Sequence, residues 1–295
     1  MALRDLWTMP FKCRLFYSAC LLMLLVAAER TVAKEQQQSS QASSQQTQTE
    51  PASAEMFAVP NRPTIASTAE VVQSGVLELE YGFEGGDGHQ NINGLVKFGL
   101  TKWLEVRVAN NPIQRDAGVF GTGDSGAGFK LRMISQNKKW RPTVSLLYEA
   151  IFPSASHGLG VQTYGHAVQI LVSKDFGKHH VDWNEGIQLS GRPYPQPSGY
   201  DRGYFSALAW SHSLRGKWGF TAELAGTSKI NNAIPGTMTI LFAPTYSATP
   251  RLVLDAGAYF AAYGNLPRVT AFVGVTYSIV DLYHRGKSKS AHGSF

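Results

Sequence analysis

The sequence predicts an all-β fold, an antiparallel transmembrane β-barrel of about 12 strands, on three observations. The first is alternation: from Gly75 onward apolar and polar residues exchange with a period of two, which puts one kind on each face of a strand. The second is a recurrent cation at Lys102, Lys139, Lys178, Lys217 and Arg251, spaced 37, 39, 39 and 34 residues apart, with Trp103, Trp140 and Trp218 following three of them. A repeat of that length holds two strands of ~10 residues, a short turn and a long loop, the hairpin unit of such a barrel. The third is a missing helix: hydrophobic content is 43%, yet no apolar run after Val32 reaches the ~20 residues of a membrane helix.

The N-terminus reads as a cleaved signal peptide, residues 1–28. Arg4, Lys12 and Arg14 form its basic start, Leu15 to Ala28 its apolar stretch, and Val26-Ala27-Ala28 or Thr31-Val32-Ala33 its small-residue cleavage site. Both cysteines, Cys13 and Cys20, fall inside it, so the exported chain carries no disulfide, cysteine metal site or thiol nucleophile. Only 16% of residues are charged and the net charge of +6 is scattered. Without a basic stripe interleaved with aromatics, nucleic acid is excluded as a partner.

Residues 29–56 are rich in Gln, Ser, Thr and Ala. They cannot bury enough apolar surface to order themselves, and read as a periplasmic linker. Residues 57–74 are more apolar and hold two prolines; they either plug the periplasmic mouth or form a lead-in. The barrel is expected over 75–280, with a basic tail at 281–295. In the first strand Leu77, Leu79, Tyr81 and Phe83 alternate with Glu78, Glu80 and Gly82. The second sets Val96, Phe98 and Leu100 against Lys97 and Gly99. The third opposes Leu104, Val106 and Val108 to Glu105 and Arg107, and the fourth Phe129, Leu131 and Met133 to Lys130 and Arg132. Softer alternation places strands near 141–152, 163–175, 178–191, 203–214, 217–229, 236–248, 250–261 and 267–279.

Short turns are expected near Thr101, 136–139, 176–177, 215–216 and 249–250, and longer Gly/Pro/Asn/Asp-rich loops near 85–91, 110–124, 153–162, 192–202, 230–235 and 262–266. In outer-membrane barrels short turns face the periplasm and long loops the outside, so both termini are expected in the periplasm. Trp103, Trp140 and Trp218 beside the short turns, and Tyr81, Phe83, Tyr148, Phe152, Tyr259 and Phe260 near the long loops, read as two interfacial girdles. A secreted β-sandwich also alternates, but its strands average ~5–6 residues and its loops show no such asymmetry.

If the apolar positions meet lipid, their partners line the lumen. The charged candidates are Glu78, Glu80, Lys97, Glu105, Arg107, Lys130, Arg132, Glu149, Asp182, Glu223 and Asp255. Neighbouring strands lie about 4.8 Å apart, so opposite charges can pair across the wall, either bracing the lumen or sorting solutes. The basic members fall in strands two to four and Asp182, Glu223 and Asp255 in later ones, which predicts a basic and an acidic wall. Glu185 breaks the pattern by sharing the lipid-facing parity of Val181, Trp183 and Ile187. A bulge that rotates it inward is the reading adopted, a contact between barrels the other.

Enzymatic readings fare poorly. There is no GxSxG elbow, and adjacent His179 and His180 point to opposite faces of a strand and are poorly placed to share a metal. No cofactor or metal is called for. An enzyme acting on envelope lipid and a structural barrel without transport remain the alternatives to a channel.

The segment RPTIASTAEVVQSGVLELEYGF, with Arg62-Pro63, Gly75 and Glu80, resembles the N-terminal signature of the meta-pathway phenol-degradation transporter family of outer-membrane barrels. LVKFGLTKWLEVRV, SGAGFKLRM, PTVSLLYEAIFPS and RLVLDAGAYF resemble its strands and turns. The resemblance implies an outer-membrane channel for small solutes, aromatic or hydrophobic ones among them. Its partners would be outer-membrane lipid, those solutes and the barrel-assembly machinery. The C-terminal HRGKSKSAHGSF departs from the usual ending on a closing strand.

Overall fold

The computed structural model describes residues 55–161, 163–192, 195–232 and 234–284. The expected signal peptide, all of the linker up to residue 54, and the tail from 285 onward lie outside the described residues. The strands are β1 (Val76–Gly86), β2 (His89–Gly99), β3 (Leu104–Asp116), β4 (Val119–Gly121), β5 (Ser125–Ile134), β6 (Thr143–Phe152), β7 (Gly165–Phe176), β8 (His179–Gly191), β9 (Tyr200–Ser213), β10 (Trp218–Thr227), β11 (Thr237–Thr249), β12 (Leu252–Tyr263) and β13 (Val269–Asp281). All but β4 form the wall. Each pairs antiparallel with its sequence neighbours, and β1 pairs with both β2 and β13, so the sheet closes without an edge. The three-residue β4 folds back to pair antiparallel with the outer end of β3.

Wall strands run from 10 to 14 residues. At about 3.4 Å per residue and a tilt near 40° they rise roughly 25–35 Å, the thickness of a bilayer's hydrocarbon core. The parity expected from the sequence holds: Glu78, Glu80, Lys97, Glu105 and Lys130 are buried inside, while Val106, Val108, Val168, Ile170, Phe242 and Val273 are exposed on the outer wall. All five repeated cations lie in inter-strand turns at one barrel end. Trp103, Trp140 and Trp218 are exposed at that same end.

Four expectations need correction. The loop foreseen at 85–91 is only Asp87 and Gly88; Gly88, at φ 72°, supplies the left-handed residue of this two-residue turn, which lets both strands run on to it. Conversely, the connection between β5 and β6 spans 135–142, longer than the short turn expected. Tyr259 does not join the girdle: it faces inward, because it neighbours outward Phe260 and successive side chains alternate. The bulge expected at Glu185 is absent. β8 pairs residue for residue with β7 and β9, Glu185 lying between Ile170 and Ser206. It stays on the outer face, where Trp183 Nε1 donates to it at 3.2 Å and Ser206 Oγ at 2.6 Å. Those donors meet part of the carboxylate's demand without rotating the strand.

Candidate functional site

Residues 57–74 form a plug inside the barrel. The chain enters at the short-turn end, where Ala58 N donates to Pro250 O (2.8 Å). It climbs to an apex at Arg62–Ile65, descends past β8, β7 and β3, and leaves beside Gly99 to become β1. The apex is a tight reversal in which the Thr64 hydroxyl donates to Asn61 O and Ala66 O. An irregular segment removed from water must still satisfy its backbone. The inward side chains of the wall do this. Val59 N donates to Glu78 (2.9 Å), Asn61 N to Glu80 (2.8 Å), Ile65 and Ala66 N to Glu223 (3.0 and 2.6 Å), and Val72 N to Glu105 (3.0 Å). Asn184 mimics a strand partner, accepting from Ser67 N (2.7 Å) and donating to Ser67 O (2.9 Å). Ser173, itself bonded to Asp182, accepts from Ala69 N, and Ser145 donates to Ala69 O. Small residues make the room: Ala66 packs among Phe205, Ala207, Ala209 and Ala225, and Ala69 against Leu147 and Leu171.

Below the apex lies a charge ladder across β1, β2, β3 and β5. Lys97 Nζ reaches Glu78 at 2.7 Å, contacts Glu80, and donates to Val59 O (2.6 Å). Arg107 holds Glu105 at 2.9 Å and Glu149 at 3.3 Å, and Lys130 lies 3.9 Å from Glu105 while donating to Glu70 O (2.9 Å). Arg132 pairs with plug residue Glu70 at 2.8 Å. Three buried cations, Lys97, Arg107 and Lys130, thus face three buried carboxylates, Glu78, Glu80 and Glu105. The basic wall expected over strands two to four is therefore neutralised, because carboxylates alternate with the cations on adjacent strands.

The apex is locked by Arg62. Asn93, Gly82, Gly274 and Asp255 form one inward row across β2, β1, β13 and β12. The two central glycines leave a slot for the guanidinium: a Cβ on either would come within 2.2 Å of it. From the slot Nη1 donates to Asn93 (2.8 Å), while Nε and Nη2 donate to Asp255 (both 3.3 Å). Tyr259, foreseen in the girdle, here donates its hydroxyl to Pro63 O (3.3 Å).

Above the apex a cavity of about 910 Å³ opens toward the long loops. Its floor is Arg62, Pro63, Thr64 and Ile65; β1–β3 supply Glu84, His89 and Asp116, and β9–β12 supply Phe205, Ala225, Tyr259 and Ala261. Of the eleven charged residues read as lumen candidates, all but Arg132 and Glu149 are buried. The sequence marks Arg62 only through the family resemblance and Asn184 only as an inward position, and Asn93, Ser173 and Ser145 stand outside the charged candidates. The period-two parity places all but Arg62 on the inward face, but a search confined to charges passes over them. Of the adjacent histidines, His180 sits inside between Asp175 (2.6 Å) and Asp182 (3.0 Å), while His179 faces out against Trp210 and His212. Among the described residues no three metal-ligating side chains cluster.

With the geometry in place, comparison with solved structures is informative. The chain superposes on an outer membrane channel from Pseudomonas putida F1 with a TM-score of 0.55 at 12% identity, covering 72% of this chain and 98% of that one. The fold is that of this channel, a closed antiparallel β-barrel. The NanC porin gives a TM-score of 0.52 at 12% identity, covering 69% of this chain and all of the porin. At such identity the porin likeness is one of fold. No protein-family model matches the chain, and no curated protein matches its sequence.

Proposed function

We propose that the chain is an outer-membrane channel for small solutes whose conductance is set by its internal plug. Both ends of the barrel lie on the short-turn side, where Val76 pairs with Asp281; in the outer membrane that end faces the periplasm. The observation that carries the reading is the cavity of about 910 Å³, open to the outside and floored by the apex of a segment that crosses the lumen. A solute entering from outside meets the cavity first, and its onward path runs past residues 57–74. Aromatic or hydrophobic compounds, which the family resemblance implies, suit the part of that cavity lined by Ile65, Tyr259 and Ala261.

The test compares the whole chain with a deletion of residues 57–74 in planar bilayers and in liposome-swelling assays. The whole chain should give small, discrete conductance steps, and the deletion steps several-fold larger. Absence of both conductance and solute uptake in the two proteins would remove the channel reading.

A further inference from the structure

We infer that the outer cavity is a binding site for organic cations that carry an apolar body, such as arylalkyl ammonium compounds. The inference takes the channel reading one step further by naming the class of solute its entrance selects.

The cavity has two unlike walls. On its floor, on β12 and in the loop after β12 it presents Ile65, Tyr259, Ala261 and Leu266, a surface that takes a ring or short alkyl chain. On β1–β3 and β6 it presents carboxylates. The side chain of Glu84 is 18% exposed, that of Glu149 30% and that of Asp116 41%, and Asp87 lies exposed at the β1–β2 turn. The Lys and Arg side chains that line the cavity are less open: Arg107 is 3% exposed and Arg62 13%. Lys97, Arg107 and Lys130 are matched by Glu78, Glu80 and Glu105, and Arg107 also holds Glu149 at 3.3 Å. Arg62, on the floor, is matched by Asp255. His89, held between Glu84 (3.4 Å) and Asp116 (2.6 Å), offsets one negative charge when protonated. Glu84, Asp87, Asp116 and Glu149 therefore leave the cavity with an acidic excess in every protonation state of His89.

A recess with low-dielectric walls concentrates such a field and raises the local concentration of cations. An ammonium group directed to Glu84 or Glu149 would set its apolar body against Ile65 and Tyr259, and Tyr259 would add an aromatic face to the cation's surroundings. A carboxylate on the same body would meet the acidic side, where each cation among the described lining residues is already paired.

The test uses the full chain in detergent and three probes of nearly equal shape: benzylammonium, benzyl alcohol and benzoate. In isothermal titration, benzylammonium should bind about tenfold or more tightly than benzyl alcohol, and benzoate most weakly of the three. The margin should shrink in high salt. Glu84→Gln with Glu149→Gln should bring benzylammonium down to the level of benzyl alcohol. Methylammonium should bind more weakly than benzylammonium if the apolar wall contributes. Equal binding of the three aromatic probes, or tighter binding of benzoate, overturns the site. Radiolabelled uptake into liposomes separates this from the channel reading. Selective binding without uptake sinks the channel and leaves the site; uptake without preference among the probes sinks the site and leaves the channel.

Discussion

Arg62 shows how a single side chain fastens an irregular segment inside a regular wall. Its guanidinium is planar and carries donors in a fixed fork, and the Gly82–Gly274 pair provides the only kind of wall that lets it lie flat between Asn93 and Asp255. Gly82→Ala is predicted to expel it. The expected outcome is a conductance that fluctuates more often in bilayer recordings while the outer wall folds normally; an unaltered trace would show that the slot does not hold the plug. Glu223 is the second fastening, accepting two consecutive backbone N–H groups from Ile65 and Ala66. Glu223→Ala strands both donors in a buried setting, which should cost about 1–3 kcal/mol in urea unfolding, with Glu223→Gln costing less because its carbonyl oxygen still accepts.

At the scale of elements, alternation and turn chemistry carried most of what the sequence revealed. Most wall strands lie within a few residues of their expected places because a side chain at the wrong parity would set a charge into lipid; β3 departs, running to Asp116 inside the loop foreseen at 110–124. The signal that corrects the β1–β2 loop, Asp87-Gly88, was present as a two-residue hairpin pair but was read only as loop composition. For Tyr259 parity outweighs proximity to a loop: it alternates with outward Phe260 and so faces the lumen. The plug was legible only as two alternatives. It has no periodicity, since its backbone is satisfied by Glu78, Glu105, Glu223 and Asn184, scattered along the chain from 78 to 223. Long-range pairing of that kind leaves no local trace. Its loss should be tolerable to the wall, whose ladder is complete without it. Deleting 57–74 is predicted to lower the thermal midpoint in detergent yet preserve the β-sheet signature in circular dichroism. A random-coil spectrum would show instead that the plug is required for folding.

For the molecule as a whole, the boundary with lipid sets the cost of each outward residue. Glu185 sits midway along β8 on that boundary, stabilised there by Trp183 and Ser206. Charged groups facing the bilayer midplane destabilise a barrel, by about 2–4 kcal/mol for Arg or Lys and less for a carboxylate. Glu185→Leu is therefore predicted to raise stability by about 1–2 kcal/mol in folding titrations with lipid vesicles. A loss of stability would mean that its hydrogen bonds outweigh its solvation penalty. Val168→Arg, on the same face of neighbouring β7, should do the reverse by about 2–4 kcal/mol.

The order in which the chain is made gives the plug a further meaning. Residues 57–74 are synthesised before any wall strand, yet two of their partners come near the end: Asp255 lies 193 residues beyond Arg62, and Ser278, which donates to Phe57 O at 3.1 Å, lies 221 residues beyond Phe57. Its partners on β1 and β3 come early, but the full set is complete only when β12 and β13 are in place, and the pairing of β1 with β13 that seals the wall also brings Asp255 to the segment's anchor. Closing the barrel and filling it would be one event. In pulse-labelling of the folding chain, amides of residues 59–72 should gain protection together with those of β13. Earlier protection would mean that the plug nucleates the wall around itself.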